Sequence, residues 1–298
     1  MSLIKRTIKV GASFSGVIAS GSYENSRPGF TAEEEFEISA EESVINDVAT
    51  SALESRSEEL HLICYNAFKA FEQKAIVERI QKERSDIRFY DGPDGKYPSV
   101  TSIINYDSDF GIPPHQLQQY ASQSNITHAR VAHFIKTGVW DNDYKSLSEI
   151  WSDIVIVTKG DLNLSTDSGD FKAFLEDYPI NDMKNGEPSF NTVHRYAGTP
   201  DFTGIPDTSK GKWKKLEGVK PVKTVFDVKR TVDKEKALMQ MSAYRNCEGL
   251  TDCKQVIAVP LNDKTQQGFS TPLVSDKVDF YFTMFLNKKK AFSARYGL

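Results

Sequence analysis

The chain has 298 residues, of which 39% are hydrophobic and 26% charged, with a formal net charge of −4. This is apolar material for one large domain or two modest ones and excludes a disordered tail or a fibre. With 37 basic against 41 acidic residues, the balance also excludes a histone-like binder, which needs an excess of Lys and Arg. No run approaches the roughly 18 consecutive apolar residues of a membrane span. The opening residues Met1-Ser2-Leu3-Ile4-Lys5-Arg6 have neither the apolar core of a secretory signal nor a transit-peptide pattern. Three cysteines, Cys64, Cys247 and Cys253, suit a reducing cytoplasm and cannot build a disulfide framework. The expectation is a soluble, cytoplasmic, globular protein.

The average charge conceals two opposed blocks. From Thr31 to Leu60 ten acids face one base, Arg56, for a net −9. From Lys210 to Arg230 eight bases face Glu217 and Asp227, for a net +6. Along the chain, Thr7 to Ile18 alternates apolar and polar residues and is broken by Gly11 and Gly16, which predicts a short strand pair. Gly21 to Gly29 reads as turns. Ser39 is placed to cap a long helix with acids in its first turn. Apolar residues from Val44 through Leu60, Ile63, Phe68 and Phe71 keep helical spacing to about Glu83, with a break near Ser57. The acidic block is therefore expected to be simply an exposed helix face; the sharper alternative is that it repels DNA from one side or docks on a basic partner. Asp91-Gly92-Pro93-Asp94-Gly95 is the clearest boundary. It separates an N-terminal α+β accessory region, 1–95, from a second domain, 96–298.

Beyond it, helices are predicted from about His115 to Thr137, over Ser146 to Val157 with Trp151, and from Phe171. Strands are predicted over Thr192–Thr199, Phe202–Ile205 and Val222–Val228. A helix from Asp233 to Cys247 then leads to a strand over Lys254–Pro260, and Val278–Leu286 suits either state. This order is that of an α/β domain on a central mixed sheet.

Two acids sit where strands meet turns. Asp201 opens the second strand and Asp227 lies near the end of the third. A carboxylate inside a β-branched strand is costly to bury unless something neutralises it, and the period of two puts Asp227 and Lys229 on one face. Two carboxylates suit Mg²⁺, which takes one or two and keeps waters and phosphate oxygens as its other ligands. Such a cation polarises a phosphodiester and lowers the pKa of a water, while the lysine orients that water or offsets developing charge. Taken alone, Asp227-Val228-Lys229 reads more simply as an edge-strand ion pair of little worth.

The ordered set around it changes the weighting. Pro98-Ser99-Val100-Thr101, Thr127-His-Ala-Arg-Val-Ala-His133, Gly198-Thr-Pro-Asp201, Asp227-Val-Lys229 and Gln240-Met-Ser-Ala-Tyr244 follow one another. In this the chain resembles the PD-(D/E)xK nuclease superfamily, in its RecB-type and phage exonuclease branch. The opening motif is similar to that of mitochondrial genome maintenance exonuclease. The resemblance implies a restriction-endonuclease-like core and a metal-dependent DNA exonuclease of phage or bacterial recombination or repair. A structure-specific endonuclease of the same fold, or a non-catalytic DNA-binding protein that kept it, are the alternatives. Its partners would be linear duplex or single-stranded DNA and a recombination or single-strand-binding protein, with no membrane.

Carried over, Asp201 and Asp227 bind Mg²⁺ or Mn²⁺ with the backbone carbonyl of Val228, Lys229 positions the water, and His133 is a further ligand. Gln240 and Tyr244, at i and i+4, share a helix face and support the site or touch DNA; Ser99 and Thr101 contact phosphates. An acid that many relatives carry before the Gly-Thr-x-Asp motif is not assigned, because Glu187 lies too far upstream. Three cysteines cannot hold an iron–sulfur cluster, so none is expected. The lysine-rich stretch is either a solvated hairpin or a phosphate track, with Lys212 and Lys214 on the backbone and Trp213 stacked on a base. Lys288, Lys289, Lys290 and Arg295 could add to it. His61, His115, His128 and His194 are expected to be structural.

Overall fold

The computed structural model describes residues 3–15, 18–19, 25–26, 29–41, 45–108, 114–141, 147–148, 150, 169–261 and 265–298. These fall into two compact units, Met1–Ile87 with Pro93–Lys96 and Tyr296–Leu298, and Arg88–Gly92 with Tyr97–Arg295.

In the first unit, β1 (Leu3–Ser15) pairs antiparallel with β4 (Gly29–Glu41), from Leu3 opposite Glu41 to Ser15 opposite Gly29. Short strands β2 (Ile18–Ala19) and β3 (Asn25–Ser26) pair between them. Helix α1 (Ile45–Glu83) runs unbroken for 39 residues. Alternation sorts the hairpin's faces. Phe14 and Phe30 meet Phe68 of α1, while Lys5 and Lys9 pair across the strands with Glu37 and Glu35 on the exposed face.

Two expectations are corrected here. The strand continues through Gly11, and Ser39 caps no helix, because it sits in β4 opposite Lys5. A period-two pattern from Phe30 to Ile38 extends the strand past the capping signal. Accordingly, of the ten acids between Thr31 and Leu60, Glu33, Glu34, Glu35, Glu37 and Glu41 lie on β4 and only Asp47, Glu54, Glu58 and Glu59 on α1. Glu42 falls outside the described residues.

A hairpin of β5 (Phe89–Gly92) and β6 (Gly95–Pro98) occupies the predicted boundary. The second unit continues with α2 (Val100–Asn105), α3 (Pro114–Thr137), α4 (Phe171–Asp177) and β7 (Ile180–Asn185). A hairpin of β8 (Ser189–Asn191) and β9 (Tyr196–Gly198) precedes β10 (Phe202–Pro206). Then come a 3₁₀ turn over Gly211–Lys215, β11 (Thr224–Lys229), α5 (Lys234–Arg245), β12 (Gln255–Pro260), β13 (Leu273–Ser275) and α6 (Val278–Tyr296).

Five strands form a mixed sheet in the order β13-β12-β11-β10-β7, flanked by helices. Only β11 and β12 are parallel, and α5 makes the crossover that a parallel pair requires. Both are buried along nearly their whole length, which is why they read as unbroken apolar runs. Phe202, Phe226, Val228, Ile257 and Val259 share a core with Val131 of α3 and Phe171 and Phe174 of α4. By parity, Val225, Asp227 and Lys229 face the other side, where α5 packs on β11 and β12.

Three further differences have local causes. The predicted strand Thr192–Thr199 is strand only over Tyr196–Gly198; its first four residues are the turn of the β8–β9 hairpin, with Arg195 at φ 51°. Strand β7 escapes sequence reading because it is an exposed edge rich in Asn, Asp and Lys. Val278–Leu286 opens a helix that continues to Tyr296. The helix expected over Ser146–Val157, with Trp151, lies outside the described residues save Leu147, Ser148 and Ile150. Among the described residues no helix is long and apolar enough to cross a membrane.

Trp213, expected to stack on a base, is instead fully buried. Its indole N–H donates to Pro179 O at 2.8 Å, and its ring packs edge-on to Tyr178. Trp213→Ala should therefore lower unfolding free energy by about 3–5 kcal/mol in denaturant titrations; a loss under 1 kcal/mol would contradict this burial. Burial also pushes the Cys247 thiol up to about 12 and the Cys253 thiol to about 11. At pH 8 both should resist thiol reagents in the native protein and react on unfolding, which a dye-release assay on single-cysteine variants reads directly.

Candidate active site

The site begins with a register. Strands β10 and β11 pair antiparallel with Phe202 opposite Phe226, and their rings stack at 4.7 Å with 3° between planes. Continued one residue beyond the paired strands, the same register places Asp201, just before β10, across from Asp227. Gly186, just after β7, delivers Asp201. Its N–H donates to Asp201 O at 2.9 Å, and a Cβ there would lie 1.8 Å from Pro200 O. Only glycine lets the two backbones approach this closely.

Both carboxylate oxygens of Asp201 are engaged. Oδ2 accepts the Val228 N–H, and Oδ1 lies 2.7 Å from His128 Nδ1. The other imidazole nitrogen, Nε2, is hydrogen-bonded to Ser124 Oγ at 3.0 Å. On the opposite strand, Asp227 is 2% exposed and its Oδ2 lies against Lys229 Nζ. Lys229 donates to Gln240 Oε1 at 3.0 Å, and Gln240 Nε2 donates to Tyr244 Oη at 2.7 Å. Gly198 accommodates that tyrosine, since a Cβ there would meet the ring at 2.2 Å. The Gly-Thr-Pro-Asp motif thus positions an acid at one end and clears space for Tyr244 at the other.

These surroundings separate the acids. Burial would raise Asp201, but His128, Lys229 and the Val228 N–H outweigh it and hold the carboxyl below its ordinary range. Burial pushes Asp227 up to about 6; Asp201 adds to this and Lys229 opposes it. Burial disfavours charge on His128 too, yet the Asp201 carboxylate raises its pKa overall. Tyr244 is raised well above the phenol range by burial and by Asp227. His128 Nδ1 and Asp227 Oδ2 are close to oppositely charged groups, but neither has an aligned hydrogen bond. Each of these buried atoms is thus held by an ion-pair contact and not by a well-aligned hydrogen bond.

No protein-family model matches the chain, and no curated protein matches it.

Of the residues singled out in the sequence, Asp201, Asp227, Val228, Lys229, Gln240 and Tyr244 come together. Val228 supplies its N–H to Asp201. The histidine at Asp201 is His128, not His133. Five residues along a helix is a rotation of about 140°, so His133 occupies another face of α3. The phase was readable: Ser124, His128, Val131 and Ile135 repeat at i, i+4, i+7 and i+11, and Val131 and Ile135 belong to the sheet's core.

Ser99 is buried and caps α2 by accepting the Ser102 N–H at 3.0 Å, so its hydroxyl is not offered to phosphate. Thr101 Oγ1 is half-buried and accepts from the Arg88 guanidinium at 3.0 Å. Lys212 is tied to Asp177. Lys210, Lys220 and Lys223 pair with Asp207, Asp276 and Asp252 at 2.7–2.9 Å. Lys214 lies on the exposed side of the 3₁₀ turn.

The opposed acids make a stability prediction for the metal-free chain in chelator. Asp227 titrates near 6 when folded, against an ordinary 3.8, so between those values the native state holds a proton that the unfolded chain has lost. Its contribution therefore declines as pH rises through that window. Asp227→Asn should gain stability relative to wild type from pH 4 to about 6 and level off above. Urea unfolding at stepped pH checks this; a pH-independent difference would refute it.

Proposed function

We propose that the chain is a metal-dependent deoxyribonuclease with a restriction-endonuclease-like, PD-(D/E)xK core, acting as an exonuclease in phage or bacterial DNA recombination or repair. The observation that carries this reading is the opposition of Asp201 and Asp227 across β10 and β11, with Lys229 on the Asp227 face. The mixed five-stranded sheet and its α5 crossover support the same core. The exonuclease form rests on the resemblance to the RecB-type branch.

The residues fit a divalent cation. Asp201 and Asp227 supply two carboxylates, of which Asp227 Oδ2 has no aligned hydrogen bond, and His128 Nδ1 lies 2.7 Å from Asp201 Oδ1. Among the described residues no group of three His, Cys, Asp or Glu has the spacing of a ready metal cage. Mg²⁺ and Mn²⁺ need no such cage, because one or two carboxylates with water and phosphate oxygens suffice. Bound there, the cation would polarise the phosphodiester and acidify a water. The chain's own groups supply the rest. Lys229, held between Asp227 and Gln240, presents a fixed ammonium that orients the attacking water and offsets charge on the phosphate. Tyr244 anchors Gln240, His128 chiefly keeps Asp201 ionised, and the Val228 N–H helps to orient it.

The test uses 5′- and 3′-labelled linear duplex, single-stranded DNA and closed circles with Mg²⁺ or Mn²⁺. Linear DNA should be degraded and circles spared, and chelator should stop the reaction. Lys229→Ala should slow cleavage by roughly 10²–10⁴-fold, and Asp227→Ala should abolish it. Lys212→Ala, which removes a lysine already paired with Asp177, should stay within about twofold, as expected of an exposed ion pair. Intact substrates under both cations would leave a binding protein as the surviving reading. Cut circles would make it an endonuclease.

A further inference from the structure

We infer that Ser124 is a positioning residue of this site, acting through His128 to hold the imidazole against Asp201. The inference rests on the metal-dependent reading above and deepens it.

Ser124 and His128 stand one turn apart on α3, so their side chains meet on a single face. Ser124 Oγ holds Nε2 at 3.0 Å, and the opposite ring nitrogen lies 2.7 Å from Asp201 Oδ1. Helix α3 is itself fixed to the sheet, by Val131 in the core and by the Asn185 side-chain amide donating to Ala132 O at 3.0 Å. The line from Ser124 through His128 to Asp201 is thus carried by a rigid element. An imidazole has two distinct nitrogens, and which one faces a given group is decided by the bond made at the other. With Ser124 in place both ring nitrogens are engaged and Nδ1 faces Asp201; without it the ring is held at Nδ1 alone and Nε2 loses its partner. Outer partners of a metal-ligating group commonly contribute roughly 10- to 100-fold to metal affinity, and His128 is such a partner of Asp201.

Ser124, His128 and Asp201 also follow the order of a hydrolase triad, but Ser124 is not placed to be a nucleophile. It lies inside a 24-residue helix, where neighbouring backbone N–H groups are bonded along the helix and none is left to form an oxyanion hole. Its hydroxyl serves the ring.

The experiment measures Mn²⁺ affinity of the whole chain by electron paramagnetic resonance, alongside thermal unfolding. Ser124→Ala should weaken Mn²⁺ binding by roughly 10- to 100-fold with an unchanged unfolding midpoint, and Ser124→Thr, which keeps the hydroxyl, should recover most of it. Wild-type affinity in Ser124→Ala overturns the role of Ser124 and leaves the metal reading intact. An absence of Mn²⁺ binding by wild type overturns both. Loss in Ser124→Ala that Ser124→Thr does not recover also overturns it. A second measurement is independent of how the variants fold. In the wild-type chain, ¹⁵N shifts of the imidazoles, assigned with His128→Gln, should show one fixed ring state for His128; averaging between ring states overturns the inference.

Discussion

Two carboxylates on neighbouring strands repel each other, and the pairing of β10 with β11 nonetheless holds Asp201 and Asp227 face to face. The ladder hydrogen bonds and the stacked Phe202 and Phe226 rings keep this register, and an aromatic pair of that kind contributes about 0.5–1.5 kcal/mol beyond its burial. A slip of one residue by either strand would turn that strand's ring out of the core and its acid into it. The repulsion is then absorbed locally, by the Val228 N–H and His128 on one acid and by Lys229 on the other. The fold supplies the opposition, and three donors make it tolerable.

Much of this was readable from the chain, because it depends on short-range periodicity. Asp227 and Lys229 share a strand face by the period of two, and Gln240 and Tyr244 share a helix face by the period of 3.6. What was not readable depends on how elements meet. The choice between His128 and His133 turns on which face of α3 meets the sheet: the apolar repeat through Val131 and Ile135 marks that face, but the histidine motif does not. Trp213 and Ser99 look like surface contacts in a motif and are buried in the fold, one filling the core and the other capping α2. At the N-terminus a capping serine with acids behind it signals a helix, but thirteen paired residues of β1 and β4 outweigh that local signal.

The charge blocks show the same limit. The acids of β4 that seemed to mark a helix partly face lysines of β1, and four lysines of the Lys210–Lys223 segment each have a surface carboxylate as partner. Exposed pairs of this sort add little stability, yet they reduce the field that a count of lysines implies. The electrostatics that bear on chemistry lie in the few buried groups at the β10–β11 register, where low dielectric makes each charge count for more.

The two halves of that site differ in how far apart their members lie along the chain. Lys229 and Gln240 are 11 residues apart, joined by the start of the α5 crossover, whereas His128 and Asp201 are separated by 201 − 128 = 73 residues. Loop-closure entropy makes the longer connection costlier by about 1.7 kcal/mol, from (3/2)RT ln(73/11). The lysine arm therefore closes at the lower entropic cost. In terms of contact order it is the local half of the site, and the histidine arm, which needs α3 beside the start of β10, is the non-local half.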